Sequence, residues 1–336
     1  MATADELLSL DHDRTVGAFE SPRRQLQAWW DTAQGPPRRE VARRLAAVLL
    51  QAGDATASFK VAFRWLEEER NEHDGAALHA AACAASAAAA EGGRIATGMA
   101  LLSEVEAEED LAALLVVDDL GPTRLSTLLA LQRAEVRRRS GNPRAALLEL
   151  FTLMKEQGRD DEAVVEATSR RIAVAVEELT PLFGPLTLQA LPDASELLGF
   201  ESPRWALRWK AARAWGIAAR GGAPRPLLEE DDPELEDDPL LPLVDPGSLR
   251  ALARLDELRL RLGVDEDAGA RALQWRSELL RAWPLDVDNG LAWAALQIAA
   301  GDPDAAAALL ARVAGGAWIS PLQREELKRL RLELAG

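Results

Sequence analysis

A glycine-centred spacing recurs four times along the chain. It runs through Ala46, Gly53, Ser58 and Ala62, then Ser86, Gly93, Gly98 and Leu102. Ala134, Gly141, Ala146 and Leu150 repeat it, as do Ala294, Gly301, Ala306 and Leu310. One local design needs this arrangement: a helix that stops at the glycine and a second helix that packs back on the first. Glycine takes the positive φ of a helix stop without a β-carbon penalty, and the small residues let the two helices approach closely. Such a hairpin cannot bury its apolar face alone, so repeated copies stack into a solenoid. The pattern predicts a binding surface rather than a reaction.

The signals between the glycines agree. Ser21-Pro22, Asn142-Pro143, Ser202-Pro203, Asp302-Pro303 and Ser320-Pro321 each join a capping side chain to a proline at the first helical position. The turns Gly141-Asn142-Pro143 and Gly301-Asp302-Pro303 are near copies. Phe59, Phe63 and Leu66 share one helical face, as do Leu147, Leu150, Phe151 and Met154, and Trp275, Leu279 and Trp283. No alternating run of β-branched residues predicts a strand.

Two stretches break the rhythm. Thr180–Phe200, with Pro181, Gly184, Pro185 and Pro192, reads as an irregular connection holding a short helix. Gly221–Gly247 contains several prolines and a run of carboxylates from Glu229 to Asp238, which reads as a mobile loop or linker. The expected organisation is a helical cap over 1–35 and a repeat array over 36–180. An irregular connection with a Trp/Arg-rich helix follows over 181–226, then an acidic proline-rich loop over 227–247, then further repeats and a capping helix over 248–336.

With 55 acidic and 39 basic residues the net charge is −16, which argues against nucleic acid as a general ligand. Arginine outnumbers lysine, alanine is abundant and tyrosine is absent, a bias that fits a GC-rich bacterial genome. Cys83 is the single cysteine, which excludes an internal disulfide and fits a reducing cytoplasm. The first residues have no basic segment followed by an apolar one, and the alanine-rich run Ala76–Ala90 is too short to span a bilayer. A cytoplasmic protein without membrane insertion is expected.

The repeats resemble the tetratricopeptide family, whose units of roughly 34 residues place small residues where paired helices touch. Pro284–Val313 carries the best match: Pro284 at the unit's terminal proline, Ala294 in the first helix, Gly301 at the turn and Ala306 in the second helix. Thr123–Gln157 is the next best. Gly263, Ala268 and Ala272 give part of a further unit, with Asp256 where a small residue belongs. The resemblance implies an all-α, right-handed α-solenoid of antiparallel helix pairs ending in a capping helix. It also implies recognition of a protein or peptide on the concave face. The paired Lys and Asn that grip an acidic chain end in one subset of the family have no counterpart here, since Leu131, Gln132 and Glu135 occupy the corresponding stretch.

Patterns that would carry chemistry fail on spacing. His73 and His79 are six apart and point to different sides of a helix. Asp286-Val287-Asp288-Asn289-Gly290 brings its glycine one position early for a calcium loop, and Gln297 stands where the closing glutamate belongs. The pairs Asp118-Asp119, Asp160-Asp161 and Asp231-Asp232 lack the further carboxylate of a magnesium site. No phosphate loop or nucleophile elbow occurs, and Cys83 reads as a buried thiol. No enzyme activity, cofactor or metal is expected.

Ser202–Arg220 stands out against the acidic background. Arg204 and Arg208 lie one turn apart, as do Trp205 and Trp209, and Arg213 extends the stripe. Trp and Arg dominate binding hot spots, so these five residues are the expected partner contact, with inter-helix packing as the alternative reading. The acidic run Glu229–Asp238 is expected to fold back on this helix and compete with an acidic partner. The function expected is a scaffold or adaptor docking a protein or peptide. Two alternatives stay open: a sensor module binding a small effector or peptide signal, and a helical enzyme with an unrecognised site.

Overall fold

A computed structural model of the chain describes residues 3–156, 160–182, 202–235, 238–316 and 318–335. Gly53, Gly93, Gly141 and Gly301 all stand at positive φ, at 89°, 74°, 80° and 78°. Each donates its N–H three residues back, and the next residue donates five residues back, as in Gly53 to Leu50 and Asp54 to Leu49. That pair of bonds satisfies the last carbonyls of a helix and turns the chain. Gly221 and Gly263 make the same two-bond turn. At three of the sites the following side chain then caps the next helix: Asp54 accepts from the Ala57 N–H, Asn142 from Ala145 and Asp302 from Ala305.

The helices that result pair in sequence. After α1 (Ala4–Thr15) and α2 (Glu20–Trp30) come α3 (Pro36–Gln51) with α4 (Ala55–Arg70), and α5 (Gly75–Glu91) with α6 (Ile95–Glu106). A single turn, α7 (Glu109–Ala112), and two strands precede α8 (Leu125–Arg139), which pairs with α9 (Pro143–Glu156). The next pair is α10 (Glu162–Leu179) with α11 (Pro203–Ala219); the expected irregular connection lies largely in 183–201, outside the described residues. Short helices α12 (Arg225–Glu229) and α13 (Leu241–Val244) lead into α14 (Pro246–Arg261) with α15 (Ala268–Ala282), and α16 (Val287–Ala299) with α17 (Pro303–Ala314). Helix α18 (Pro321–Ala335) covers both members of that last pair.

The small residues sit where the helices cross. Ala46, Ser58, Ser86, Ala134, Ala146, Ala294 and Ala306 are all buried. The Ser58 hydroxyl donates to the Ala46 carbonyl at 2.7 Å, and a β-carbon at Gly98 would lie 3.0 Å from the Ser86 carbonyl oxygen. In the fifth pair Asp256, where a small residue was expected, is 2% exposed. It accepts from Arg259 at 3.1 Å, Arg271 at 2.9 Å and the Trp275 indole at 3.2 Å, so donors from both helices replace close packing.

Two local readings need correcting. Leu115–Asp118 (β1) and Gly121–Arg124 (β2) form an antiparallel hairpin that no sequence alternation announced. Three features produce it: the run Leu115-Val116-Val117, Asp118 accepting from the Leu120 N–H at 3.0 Å, and Gly121 at φ 103°. The acidic stretch is anchored rather than loose at its start. The Lys210 ammonium of α11 donates to the Glu230 and Asp231 carbonyls and to the Asp232 carboxylate, which also accepts from Arg259 of α14. Leu235 packs on the core of α11 and α14. Of these carboxylates, that of Asp232 is thus matched by cations from two helices.

Candidate functional site

The first helices α3, α5 and α8 touch in succession and form one layer. Arg43, Ala47 and Leu50 of α3, and Ala80, Ala84, Ala87 and Glu91 of α5, turn one helix face each toward a cavity of about 350 Å³. The same alanine run serves packing and lining. Ala81, Ala82, Ala85, Ala88 and Ala89 are fully buried between helices, while Ala80, Ala84 and Ala87 stay half-buried against the cavity.

The opposite wall comes from the end of the chain. Pro246 and Arg250 of α14, Trp283 and Leu285 before α16, Trp318 before α18 and Gln323 in its first turn line the cavity together with those alanines. Three hairpin turns of the first half meet this wall. A β-carbon at Gly53 would lie 3.7 Å from Leu285, one at Gly93 3.1 Å from Trp318, and one at Gly141 3.0 Å from Pro321. The Gln51 amide also donates to the Ala282 carbonyl. At the other side α1 touches α13 and α15, so the array bends round until its beginning bears on its fifth pair.

Charged side chains converge at the lining of this trough. Arg139 donates to Glu91 at 2.7 Å and to Glu135 at 2.9 Å, and Arg138 to Glu135 at 2.7 Å and to Asp288 at 3.3 Å. The Gln323 amide donates to Asp288 at 2.7 Å and Arg250 to Asp286 at 2.5 Å. Burial alone would raise the Asp286 carboxyl, yet the Arg250 guanidinium and the Asn289 N–H that it caps hold it down at about 2. Burial likewise opposes the Glu135 carboxylate, and Arg138 with Arg139 keep it far below the usual range. Glu91 goes the other way: burial raises it, and Arg139 only partly offsets that beside Asp286, Asp288 and Glu135.

No family model and no curated protein matches the chain. Among solved structures, an alignment covering 99% of this chain and 99% of the other is to the crystal structure of the P58(IPK) TPR domain, at 16% identity and a TM-score of 0.27. At that score the fold rests on the hairpins themselves. The chain is an all-α array of tetratricopeptide-like helical hairpins.

The Trp/Arg stripe lies on α11, away from the cavity lining. Trp209 is 7% exposed and packs on Ala173 and Val174 of α10. Half-buried Trp205 donates its indole N–H to Asp119 at 3.1 Å, and the Arg208 guanidinium lies 4.2 Å from its ring centroid. Arg213 donates to Glu177 at 3.1 Å, and Arg204, exposed, stands 3.7 Å from Asp245. Among the described residues the helix meets the acidic stretch through Lys210, which lies between Trp209 and Arg213 in the chain.

The aspartate pairs have basic partners. Arg171 donates to Asp118, Arg124 to Asp160, and Lys210 and Arg259 to Asp232. Asp286 caps α16 by accepting from the Asn289 N–H at 3.0 Å. His79 and Cys83 meet, with Nε2 and Sγ 3.2 Å apart. Burial pushes the Cys83 thiol up to about 12 and, with Arg171 nearby, His79 down to about 4. Among the described residues no group of three or more His, Cys, Asp or Glu could hold a metal ion, and no helix is long and apolar enough to cross a membrane.

Sequence reasoning missed Ala80, Ala84, Ala87 and Trp318 as lining residues. The alanines do carry a signal, a helix face at i, i+4 and i+7 inside a run otherwise consumed by packing. Trp318 carries none, because its neighbour Gly93 is remote in the chain.

Proposed function

We propose that the protein is a non-enzymatic recognition scaffold that takes a short segment of a partner protein into the trough. One large apolar side chain of that segment seats between the α5 alanines and Trp283 and Trp318. The composition of the cavity carries this reading: Arg139 with Glu91 and Arg250 with Asp286 pair within its lining, and beside them lies an apolar wall of half-buried alanines with two indoles. About 350 Å³ lies at the low end of small-ligand pockets, about 300–1,000 Å³, too small for a folded domain and ample for one aromatic side chain. Any partner contact on α11 falls in this reading to Arg204 and the open side of Trp205, because Trp209 is engaged with α10.

The state of Cys83 and His79 supports a non-catalytic role. A thiol held near 12 and an imidazole held near 4 are both neutral at pH 7, so neither thiolate nor imidazolium is supplied. A second reading, a small effector in the same cavity, draws support from its volume of about 350 Å³, within the range of small-ligand pockets.

Selection of displayed random peptides on the full chain tests the proposal. Wild type is expected to enrich peptides sharing a Trp, Phe or Leu anchor. Ala84→Trp, which fills the cavity, should enrich none while keeping its helical circular dichroism. Equal enrichment on both proteins would sink the reading.

A further inference from the structure

A second cavity, of about 530 Å³, lies at the seam where α1 bears on α13 and α15. Val16 at the end of α1 lines it, with Pro242 of α13, Leu249 and Leu252 of α14 and Trp275 of α15. Its lining shares no residue with that of the trough. Val16 is exposed and Leu249 is buried, so the cavity runs from an open rim to an apolar floor. Beside it the turn after α1 sits directly on the end of α15: a β-carbon at Gly17 would lie 3.4 Å from the Arg281 carbonyl oxygen.

The charges of this lining are unequal. Asp238 and Glu278 both belong to it, and neither pairs with a cation among the described residues. Asp238 accepts the Leu240 N–H at 2.8 Å and Glu278 the Gln274 amide at 3.0 Å, each through one oxygen. Those donors are neutral, so both carboxylates keep their charge. Glu234 adds another, exposed between the lining residues Pro233 and Leu235. Arg281 is the one cation in the lining among the described residues, and it is exposed. The Trp275 indole N–H is taken by Asp256 at 3.2 Å, so what this residue offers a ligand is ring carbon, whose face attracts cations.

We propose that the cavity is a second ligand site and that its ligand is a small organic amine. The apolar body of the amine seats on Leu249, Leu252 and Trp275, and its protonated nitrogen is held by Asp238 and Glu278. A volume of about 530 Å³ lies inside the range of small-ligand pockets, about 300–1,000 Å³. An ammonium group gains charge-assisted hydrogen bonds that an uncharged ligand of the same shape lacks. An anion has only Arg281 to meet and two carboxylates to oppose it. A ligand held here touches both sides of the seam, so its binding stabilises the folded array.

Calorimetric titration of the full chain at neutral pH with three probes of one shape, phenylbutylamine, phenylbutanol and phenylbutyrate, tests the site. The amine should bind wild type about tenfold or more tightly than the alcohol, with the acid weakest. It should also raise the thermal unfolding midpoint. The double variant Asp238→Asn/Glu278→Gln keeps both local acceptors and should bring the amine within about threefold of the alcohol. Val16→Arg, a change at the exposed rim, should abolish amine binding while helical circular dichroism is kept. Equal affinity for all three probes, or tightest binding of the acid, would refute the choice of an amine. An unchanged amine preference in either variant, or no heat with any probe at millimolar concentration, would refute the site. Tighter binding of a capped Phe-Lys dipeptide than of phenylbutylamine would refute a small molecule as the occupant. Peptide selection on Val16→Arg should match wild type, so failure here leaves the trough reading standing.

Discussion

A β-carbon at Gly93 would come within 3.1 Å of Cδ1 of Trp318, so the residue that stops α5 is also the seat of the tryptophan that walls the trough. Gly301 makes the same turn at nearly the same φ with nothing within 4 Å. The two glycines therefore separate backbone strain from contact.

Gly301→Ala is expected to cost about 1–2 kcal/mol, the left-handed penalty alone. Gly93→Ala should cost more, because Trp318 must also move, and Trp318→Ala should remove that excess. Denaturant unfolding of the two single variants and the Gly93→Ala/Trp318→Ala double variant measures it. Equal losses for both glycines would show that Trp318 does not press on the turn.

Asp256 is the acceptor for Arg259, Arg271 and Trp275 at the crossing of α14 and α15. Asp256→Ala leaves those donors without it and should destabilise the chain by about 3–5 kcal/mol. Asp256→Asn keeps an acceptor and should lose less. Thermal unfolding followed by circular dichroism distinguishes the two.

His79 gives a pH dependence with a defined sign. Its folded value of about 4 lies below the ordinary 6.5, so between those limits the unfolded chain binds a proton that the folded chain refuses. Stability is expected to fall as pH drops through that window, by up to about 1.4 kcal/mol per unit. His79→Gln should flatten that part of the profile. Asp286, held at about 2 against an ordinary 3.8, adds a further loss only below about pH 4, and Asp286→Asn should remove it.

Cys83 should resist thiol reagents in the folded chain, since burial holds its thiol near 12 and leaves little thiolate at pH 8. Labelling with a chromogenic disulfide reagent should become fast only on unfolding. Fast labelling at neutral pH without loss of structure would contradict the raised thiol described.

Much of the hairpin architecture was legible in the chain because it is local. Gly53, Gly93, Gly141 and Gly301 each fix a turn with carbonyls three and five residues away, and Ala46 and Ser86 meet small residues twelve positions on. The trough was not legible, for the opposite reason. Gly93 and Trp318, Arg138 and Asp288, and Gln51 and Ala282 meet across more than a hundred positions, and no periodicity records such pairs. The acidic stretch misled in an instructive way. Asp232 repels its neighbours along the chain, but Lys210 and Arg259 reach its carboxylate from flanking helices, and net charge over a window does not count cations supplied from outside it. The strand hairpin at Leu115–Arg124 escaped notice because four residues are too few to show a period.

The bearing of α1 on α13 and α15 changes what gain of a unit would do. An open stack gains reach when a hairpin is duplicated. Here, where the ends are tied as staves are in a cask, an inserted pair would widen the girth and slacken the fit of Trp318 on Gly93, so ligand size and repeat number are bound to vary together.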